Sequence, residues 1–152
     1  ENQMQQIWEH KYDEFGRKTD KIEHYHTGGF IGTKYEYTTE GKLKRETIVD
    51  DENEVSGKTE YEYDSIGNLI SKTEYDTDDF TSPWITTTYE YDINKNVIKK
   101  EEQIGDQAAT VSTFEYDEAG QLLGGEVFYA DDYPSASDWI YSLDAYWLRN
   151  SI

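Results

Sequence analysis

Five short aromatic turns recur along this chain and restrict its fold more than any other feature. The clearest copy reads Tyr61-Glu-Tyr63-Asp64-Ser-Ile-Gly67-Asn68-Leu69. The second tyrosines of the five copies are separated by 25, 26, 28 and 25 residues, and they are Tyr12, Tyr37, Tyr63, Tyr91 and Tyr116. Repetition at such a period indicates one supersecondary unit copied in tandem. The sequence therefore predicts an array of similar small elements.

The residues after each second tyrosine predict a β-hairpin. Asp64 stands where a turn needs a side chain that accepts backbone hydrogen bonds, and Gly67 stands where the chain needs a positive φ. Two copies depart from this pattern, since Thr38 replaces the aspartate and Lys95 replaces the glycine. In the Lys95 turn we expect Asn94 or Asn96 to take the left-handed conformation, or the loop to adopt another geometry.

The turn also sets the register between the two strands of each hairpin. It places Tyr63 opposite Leu69 and, by continued alternation, Tyr61 opposite Ser71. The equivalent first pairs are Tyr37 with Leu43, Tyr91 with Val97, and Tyr116 with Leu122. Such pairs contribute roughly 0.2 to 1 kcal/mol each, so they predict an apolar tyrosine stripe near the turns. The first copy has Lys18 in the leucine position, which suits an outer strand protected by charge.

These hairpins predict an all-β fold, with a single antiparallel meander of about ten or eleven strands in one domain of residues 1–152. A flat sheet would leave its tyrosine face in water and its end strands unpaired, so we expect it to curl into a barrel-like or half-barrel form. Association of two open sheets is the competing solution. Residues 138–148 fit either a strand or a helix, and the repeat favours the strand.

Charge and composition limit the classes of molecule that can bind this chain. The 14 Lys and Arg residues against 33 Asp and Glu give a net charge of −19, which repels nucleic acid and anionic membranes. Cations, neutral polar ligands and basic proteins are the better candidates. Cysteine is absent, so the chain has no disulfide framework and no thiolate nucleophile. No apolar run reaches the roughly 18 to 20 residues that span a bilayer.

Known catalytic patterns are absent, and we expect no enzyme activity. The many carboxylates offer no privileged pair for glycoside hydrolysis. His24 and His26 share a strand face, and the expected register pairs His10 with Asp20 and His24 with Gln6, so we interpret them as an ordinary polar strand. No cofactor is expected. Ca²⁺ at the acidic loops is a weaker alternative, because those loops do not match the twelve-residue calcium loop.

Function is expected where the copies differ, in the longer connections at residues 26–33, 50–58, 76–86, 104–110 and 130–138. A meander places these connections, and their acidic residues, at one rim. Two of them resemble each other and combine aromatic rings with carboxylates, as a sugar-binding platform needs. The predicted ligand-binding residues are Trp84, Phe80, Tyr133, Trp139, Asp78, Asp79, Asp131 and Asp132. The alternative is that Trp84 and Trp139 plug the open end of a barrel.

The repeat resembles the YD repeat of Rhs and teneurin-type proteins. The matching pattern is Tyr-x-Tyr-Asp-x-x-Gly-[Asn/Arg/Lys/Gln]-Leu, and the likeness covers residues 8–129. The resemblance implies an antiparallel sheet of stacked hairpins in secreted or surface proteins, where long arrays form shells around a cargo. With five units and no cargo domain, this chain is better compared with small YD-repeat or lipoprotein-like modules of the bacterial envelope.

These features together predict a non-enzymatic extracellular or envelope module, from which a signal or lipoprotein leader has been removed. We expect it to recognise a glycan or a surface protein through the long-connection rim or a strand edge. The alternative is an acidic immunity-type protein that neutralises a basic toxin partner.

Overall fold

A computed structural model describes residues 7–26, 28–75 and 80–129, and every regular element in this part of the chain is a β-strand. The ten strands are β1 Ile7–Tyr12, β2 Lys18–His24, β3 Phe30–Tyr37, β4 Leu43–Asp50, β5 Val55–Tyr63, β6 Leu69–Tyr75, β7 Ile85–Tyr91, β8 Val97–Ile104, β9 Thr110–Tyr116 and β10 Leu122–Tyr129. They form one antiparallel sheet in which the spatial order equals the chain order. The predicted all-β meander is confirmed.

β1 and β10 are the two ends of this order, so among the described strands β1 is hydrogen-bonded only to β2 and β10 only to β9. The sheet is therefore not closed into a barrel. The half-barrel form stays a prediction, as does the single domain of residues 1–152. The strand or helix expected at residues 138–148 lies outside the described part of the chain.

The strands group into two compact units. The first contains β1 to β4, β5 as far as Glu62, the end of β6 and the connection that follows it, and the second contains Tyr63, the start of β6 and β7 to β10. Among the described residues, Val49 is the one large apolar side chain that is buried, with 4% exposure. It packs over Gly32, where an added Cβ would lie 3.2 Å from its methyl group. The stability of each unit therefore depends on cross-strand contacts more than on a core.

The Asp64 turn shows why the repeat conserves its residue types from copy to copy. The Asp64 N–H donates to the carbonyl of Asn68 at 2.9 Å, and the Gly67 N–H donates to the carbonyl of Asp64 at 3.1 Å. Asp64 Oδ1 accepts the N–H groups of Ile66 and Asn68, and its Oδ2 accepts the Asn68 amide at 3.0 Å. Partial desolvation acts to raise the pKa of Asp64, but these hydrogen bonds outweigh it and lower that pKa. Gly67 has a φ of 91°, as predicted.

The same pair of backbone hydrogen bonds closes seven of the nine connections between the described strands. Each has a left-handed residue at its fourth position, namely Gly16, Gly28, Gly41, Asn53, Gly67, Lys95 and Gly120. The expectation of long connections at residues 26–33 and 50–58 is therefore wrong. β3 already begins at Phe30 and β5 at Val55, because the turns that precede them are as tight as the tyrosine–aspartate turns.

The turn between β7 and β8 contradicts the expectation that Asn94 or Asn96 would be left-handed. Lys95 itself has a φ of 68°, and Asn96 instead donates its amide to Asp92 Oδ2 at 2.8 Å. The Asn96 side chain hydrogen bond and its backbone N–H bond to Asp92 hold the turn in the common geometry. The chain therefore tolerates a non-glycine residue at a position that favours glycine.

We expect Lys95→Gly to stabilise the protein. The left-handed conformation costs a non-glycine residue about 1–2 kcal/mol, and the greater freedom of glycine in the unfolded chain offsets up to about 1 kcal/mol of the gain. A net increase of about 0.5–1 kcal/mol in the free energy of unfolding should appear in urea denaturation. Gly67→Lys is the reciprocal control and should destabilise. If the Lys95→Gly variant were no more stable than the parent, the left-handed conformation of Lys95 would not be strained.

The strand register confirms the predicted first pair in three hairpins, and the Tyr63–Leu69 and Tyr61–Ser71 pairs stay predictions. Tyr37 lies opposite Leu43, Tyr91 opposite Val97 and Tyr116 opposite Leu122. Next along the β3–β4 hairpin, however, Glu36 lies opposite Arg45, because Lys44 forms a β-bulge. A bulge inserts one unpaired residue and moves later side chains to the other face.

The first hairpin has the same bulge, so the histidine register is corrected with it. His10 lies opposite Lys21, and His24 lies opposite Ile7. Both pairs are thus shifted by one residue from the predicted register.

The second tyrosine of a copy also binds the hairpin that precedes it. The hydroxyl of Tyr37 donates to the carbonyl of Lys18 at 2.7 Å, that of Tyr91 to Leu69 at 2.7 Å, and that of Tyr116 to Val97 at 2.9 Å. We call these contacts the tyrosine interlocks. They supply the partners that half-buried tyrosine hydroxyls need, and they join successive hairpins in addition to the backbone ladder.

Candidate binding surface

The connection between β6 and β7 carries the two described residues of the predicted platform, Phe80 and Trp84. The Trp84 N–H donates to the carbonyl of Glu74 at 2.7 Å, which fixes the end of the connection to the sheet. The Trp84 side chain nevertheless remains 54% exposed. An indole that plugs the end of a barrel would be buried, so the structure does not support that alternative for Trp84.

Phe80 is half-buried and belongs to a cluster around Lys58. The Lys58 ammonium lies 3.8 Å from the centroid of the Tyr75 ring and 5.9 Å from that of Phe80. A cation over an aromatic face at these distances is attracted by the ring quadrupole. Lys58 therefore links the connection to the face of β5 and β6.

Glu60 holds the polar side of this cluster in place. Its Oε1 accepts hydrogen bonds from Arg45 Nη2 at 2.8 Å and Nε at 3.1 Å, and it lies 3.5 Å from Lys58 Nζ. The Tyr75 hydroxyl donates to the other oxygen of Glu60 at 3.2 Å. We call Arg45, Lys58, Glu60, Tyr75 and Phe80 the Lys58 cluster.

The pKa directions follow from these contacts. Partial burial acts to raise the pKa of Glu60, but the Arg45 hydrogen bonds and the Lys58 and Arg45 charges outweigh it and lower that pKa. The pKa of Tyr75 is raised by burial and then by the negative charge of Glu60. Glu60 is thus an ionised carboxylate with its oxygens already engaged. Such a group positions neighbouring side chains, and it is poorly suited to proton transfer.

The other predicted site residues, Asp78, Asp79, Asp131, Asp132, Tyr133 and Trp139, lie outside the described residues. The expected platform from two similar connections, and the acidic loops considered for Ca²⁺, therefore stay predictions. Within residues 7–26, 28–75 and 80–129, no three His, Asp or Glu side chains are grouped as a metal site. The same residues contain no helix that is long and apolar enough to cross a membrane.

Sequence reasoning missed four members of the Lys58 cluster. Lys58 and Glu60 are two residues apart on β5 and so share a face, a signal that was visible in the sequence. Tyr75 could not be assigned to the cluster, because continuous alternation from Leu69 places it on the sheet face opposite to that of Lys58 and Glu60. Its contacts with Lys58 and Glu60 show that it lies on theirs.

The fold is similar to parts of three crystal structures that contain TcdB2–TccC3. The TcdB2–TccC3 structure matches 82% of this chain and 7% of its own, with a TM-score of 0.62 and 20% identity. TcdB2–TccC3–TEV matches 80% of this chain and 7% of its own, with a TM-score of 0.60 and 20% identity. TcdB2–TccC3–Cdc42 matches 84% and 8%, with a TM-score of 0.53 and 18% identity.

At such identity the likeness is one of fold, and this chain spans less than a tenth of the length of the chains it matches. It supports the YD-repeat interpretation as far as the fold is concerned. No protein-family model matches the sequence, and no curated protein sequence does.

Proposed function

We propose that the chain is a non-enzymatic binding and structural module built of YD repeats, in an extracellular or cell-envelope protein. One observation carries the proposal. Repeated tyrosine, aspartate and glycine residues form the turns and the interlocks, whereas Trp84 stands in a connection without this turn and is 54% exposed. An exposed aromatic ring on an anchored backbone offers a flat apolar surface on which a ligand can stack.

The ligand that best suits this surface is a glycan or a surface protein. Trp84 offers a flat ring for stacking, and the half-buried Phe80 ring belongs to the same connection. The Lys58 cluster adds charged and hydroxyl groups that form hydrogen bonds, which an aromatic surface needs to orient a polar ligand. The proposal requires no cofactor.

Trp84→Ala tests this function against Trp8→Ala, a matched control in which the lost tryptophan is 55% exposed on β1. The wild-type chain is first screened on a glycan array and against envelope proteins, and the affinity of the strongest binder is then measured for both variants. Burying about 100 Å² of indole is worth about 2.5 kcal/mol, so we expect Trp84→Ala to weaken binding ten- to hundredfold. Equal losses in the two variants, or none, would exclude the Trp84 surface.

The second candidate is an acidic immunity-type protein, and the net charge of −19 favours it. Charge-steered binding to a basic toxin would weaken strongly with ionic strength, because exposed charges more than a Debye length of about 8 Å apart are screened at physiological salt. Stacking on Trp84 would depend little on salt. A salt titration of the strongest binder therefore separates the two candidates.

A further inference from the structure

Among the described residues, the tyrosine interlocks leave Tyr12, in the first copy, without a hydrogen-bond partner. In each interlock, a tyrosine on the first strand of a hairpin binds the second strand of the hairpin before it. Tyr12 occupies the same position in the first copy, on the end strand β1. Its hydroxyl has no hydrogen-bond partner in the described part of the chain, and the residue is 58% exposed.

The other end of the array presents the complementary group. Leu122 on β10 corresponds to Lys18, Leu69 and Val97, whose carbonyls accept the interlocks. No described tyrosine donates to its carbonyl, and β9 is the only described strand that pairs with β10. The same strand exposes large apolar side chains, with Leu123 at 64% and Phe128 at 49%.

The observed register shows how these two ends would pair. In β2–β3 and β8–β9, the residue two after the acceptor lies opposite the residue three before the tyrosine, as in Asp20 with Lys34 and Lys99 with Thr113. Applied to β10 and β1, this rule pairs Gly124 with Glu9, Gly125 with Trp8, and Glu126 with Ile7.

No two acidic residues face each other in this register, because Glu9 and Glu126 each lie opposite an uncharged residue. Trp8 lies opposite a glycine, which leaves room for the indole. In this register, therefore, no two like charges lie directly opposite each other and oppose the pairing of the strands.

Charge disfavours the pairing of two β10 edges. Residues 105–129 contain five acidic residues and neither Lys nor Arg, a net charge of −5, whereas residues 7–24 contain four Lys or Arg and five acidic residues, a net charge of −1. A β10 edge is therefore repelled less by a β1 edge than by a second β10 edge.

We infer that β10 of one copy adds to β1 of a second copy and continues the sheet head to tail. The Tyr12 hydroxyl of one copy donates to the Leu122 carbonyl of the other and forms an interlock between copies. The contact is strand addition at a sheet edge, and its two surfaces are different, so it can repeat along an open chain of copies. It does not depend on the Trp84 surface.

Sedimentation velocity of the full chain at rising concentration tests this inference, at an ionic strength of about 0.15 M that screens the repulsion between whole chains. We expect the wild type to form dimers and longer species as concentration increases. Tyr12→Phe removes one hydroxyl and should weaken association about two- to tenfold. Tyr116→Phe is the matched control, because that hydroxyl already bonds within the chain, and it should leave association unchanged.

A charge exchange tests the register and the head-to-tail direction. Ile7→Glu places an acid opposite Glu126 and should abolish self-association. Because Ile7 is 61% exposed, we expect the variant to fold normally. Mixing Ile7→Glu with Glu126→Lys should restore a mixed dimer. Two results would overturn the inference. The first is a wild type that stays monomeric at every concentration, which would result if another part of the chain covered β10. The second is an Ile7→Glu variant that associates as strongly as the wild type.

Discussion

Gly125→Ala is expected to lower the free energy of unfolding by about 2–3 kcal/mol, because an extra methyl in a tight site forces the backbone to shift. A Cβ at Gly125 would overlap the backbone carbonyl oxygen of Thr113 and would lie 3.3 Å from the Phe114 ring. The carbonyl belongs to β9, which pairs with β10, so it cannot move without disturbing the ladder. Gly125 is therefore required by its neighbours across the strand.

Gly124 provides the matched control, since an added Cβ there meets nothing within 4 Å. We expect Gly124→Ala to change the free energy of unfolding by less than about 0.5 kcal/mol. Urea denaturation measures both variants. Hydrogen exchange of β10 should accompany it, because an end strand can detach locally before the whole unit unfolds. Equal stability of the two variants would show that β10 does not lie against β9 as described.

Tyr91→Ala is expected to cost about 2–3 kcal/mol, and Tyr91→Phe about 1 kcal/mol. The phenylalanine variant loses only the hydrogen bond to the Leu69 carbonyl, and a typical hydrogen bond contributes about 0.5–1.5 kcal/mol. The alanine variant also loses the ring that lies opposite Val97, and large-to-small changes at aromatic sites cost about 3–5 kcal/mol when fully buried. Tyr91 is half-buried, so we expect a smaller value.

Tyr89→Phe separates the interlock from a general effect of losing a hydroxyl. Tyr89 stands two residues earlier on the same strand and face, and its hydroxyl has no hydrogen-bond partner among the described residues. We expect its removal to change stability by less than about 0.5 kcal/mol in urea denaturation. If Tyr89→Phe and Tyr91→Phe were equally stable, the Tyr91 interlock would contribute nothing to the fold.

The turns could be predicted wherever a residue type by itself favours the hydrogen bonds or the backbone conformation that the turn requires. Asp64 and Gly67 specify a turn by hydrogen-bonding capacity and by positive φ, and both behave as expected. Lys95 could not be found in this way, because its left-handed conformation is imposed by the surrounding hydrogen bonds, and Asn53 was overlooked although asparagine tolerates that conformation. As a result, the turn before β5 was taken for part of a long connection.

The register was predictable only as far as the first pair. The bulge at Lys44 follows from the way the tight turn meets the twist of the strands, which the alternation of side chains does not reveal. The contacts of Tyr75 with Lys58 and Glu60 were likewise not predictable from alternation, and the Lys58 cluster was therefore missed. Phe80 and Trp84 were chosen from composition, because their connection combines aromatic rings with carboxylates, and their role in binding stays a prediction.

The interlocks explain why tyrosine recurs where phenylalanine would fill the same space. A half-exposed sheet face gives an apolar ring only part of its burial energy, and the hydroxyl adds a directed bond to the neighbouring hairpin. Burial raises the pKa of Tyr91, with smaller contributions from Tyr89 and Asp64, and burial followed by Asp92 raises that of Tyr116. These hydroxyls therefore stay protonated, and able to donate, at neutral pH.

An alkaline titration tests most directly the claim that these tyrosines hold the fold together. The folded pKa values of Tyr63, Tyr91 and Tyr116 lie above the ordinary value of 10.0, so the stability that these three residues contribute is complete below that pH and is lost as pH rises through the folded pKa. We expect tyrosinate absorbance from this group to rise above pH 10 together with the loss of the β-sheet circular dichroism signal, in one shared transition. Complete tyrosine ionisation while the sheet remains folded would contradict the account.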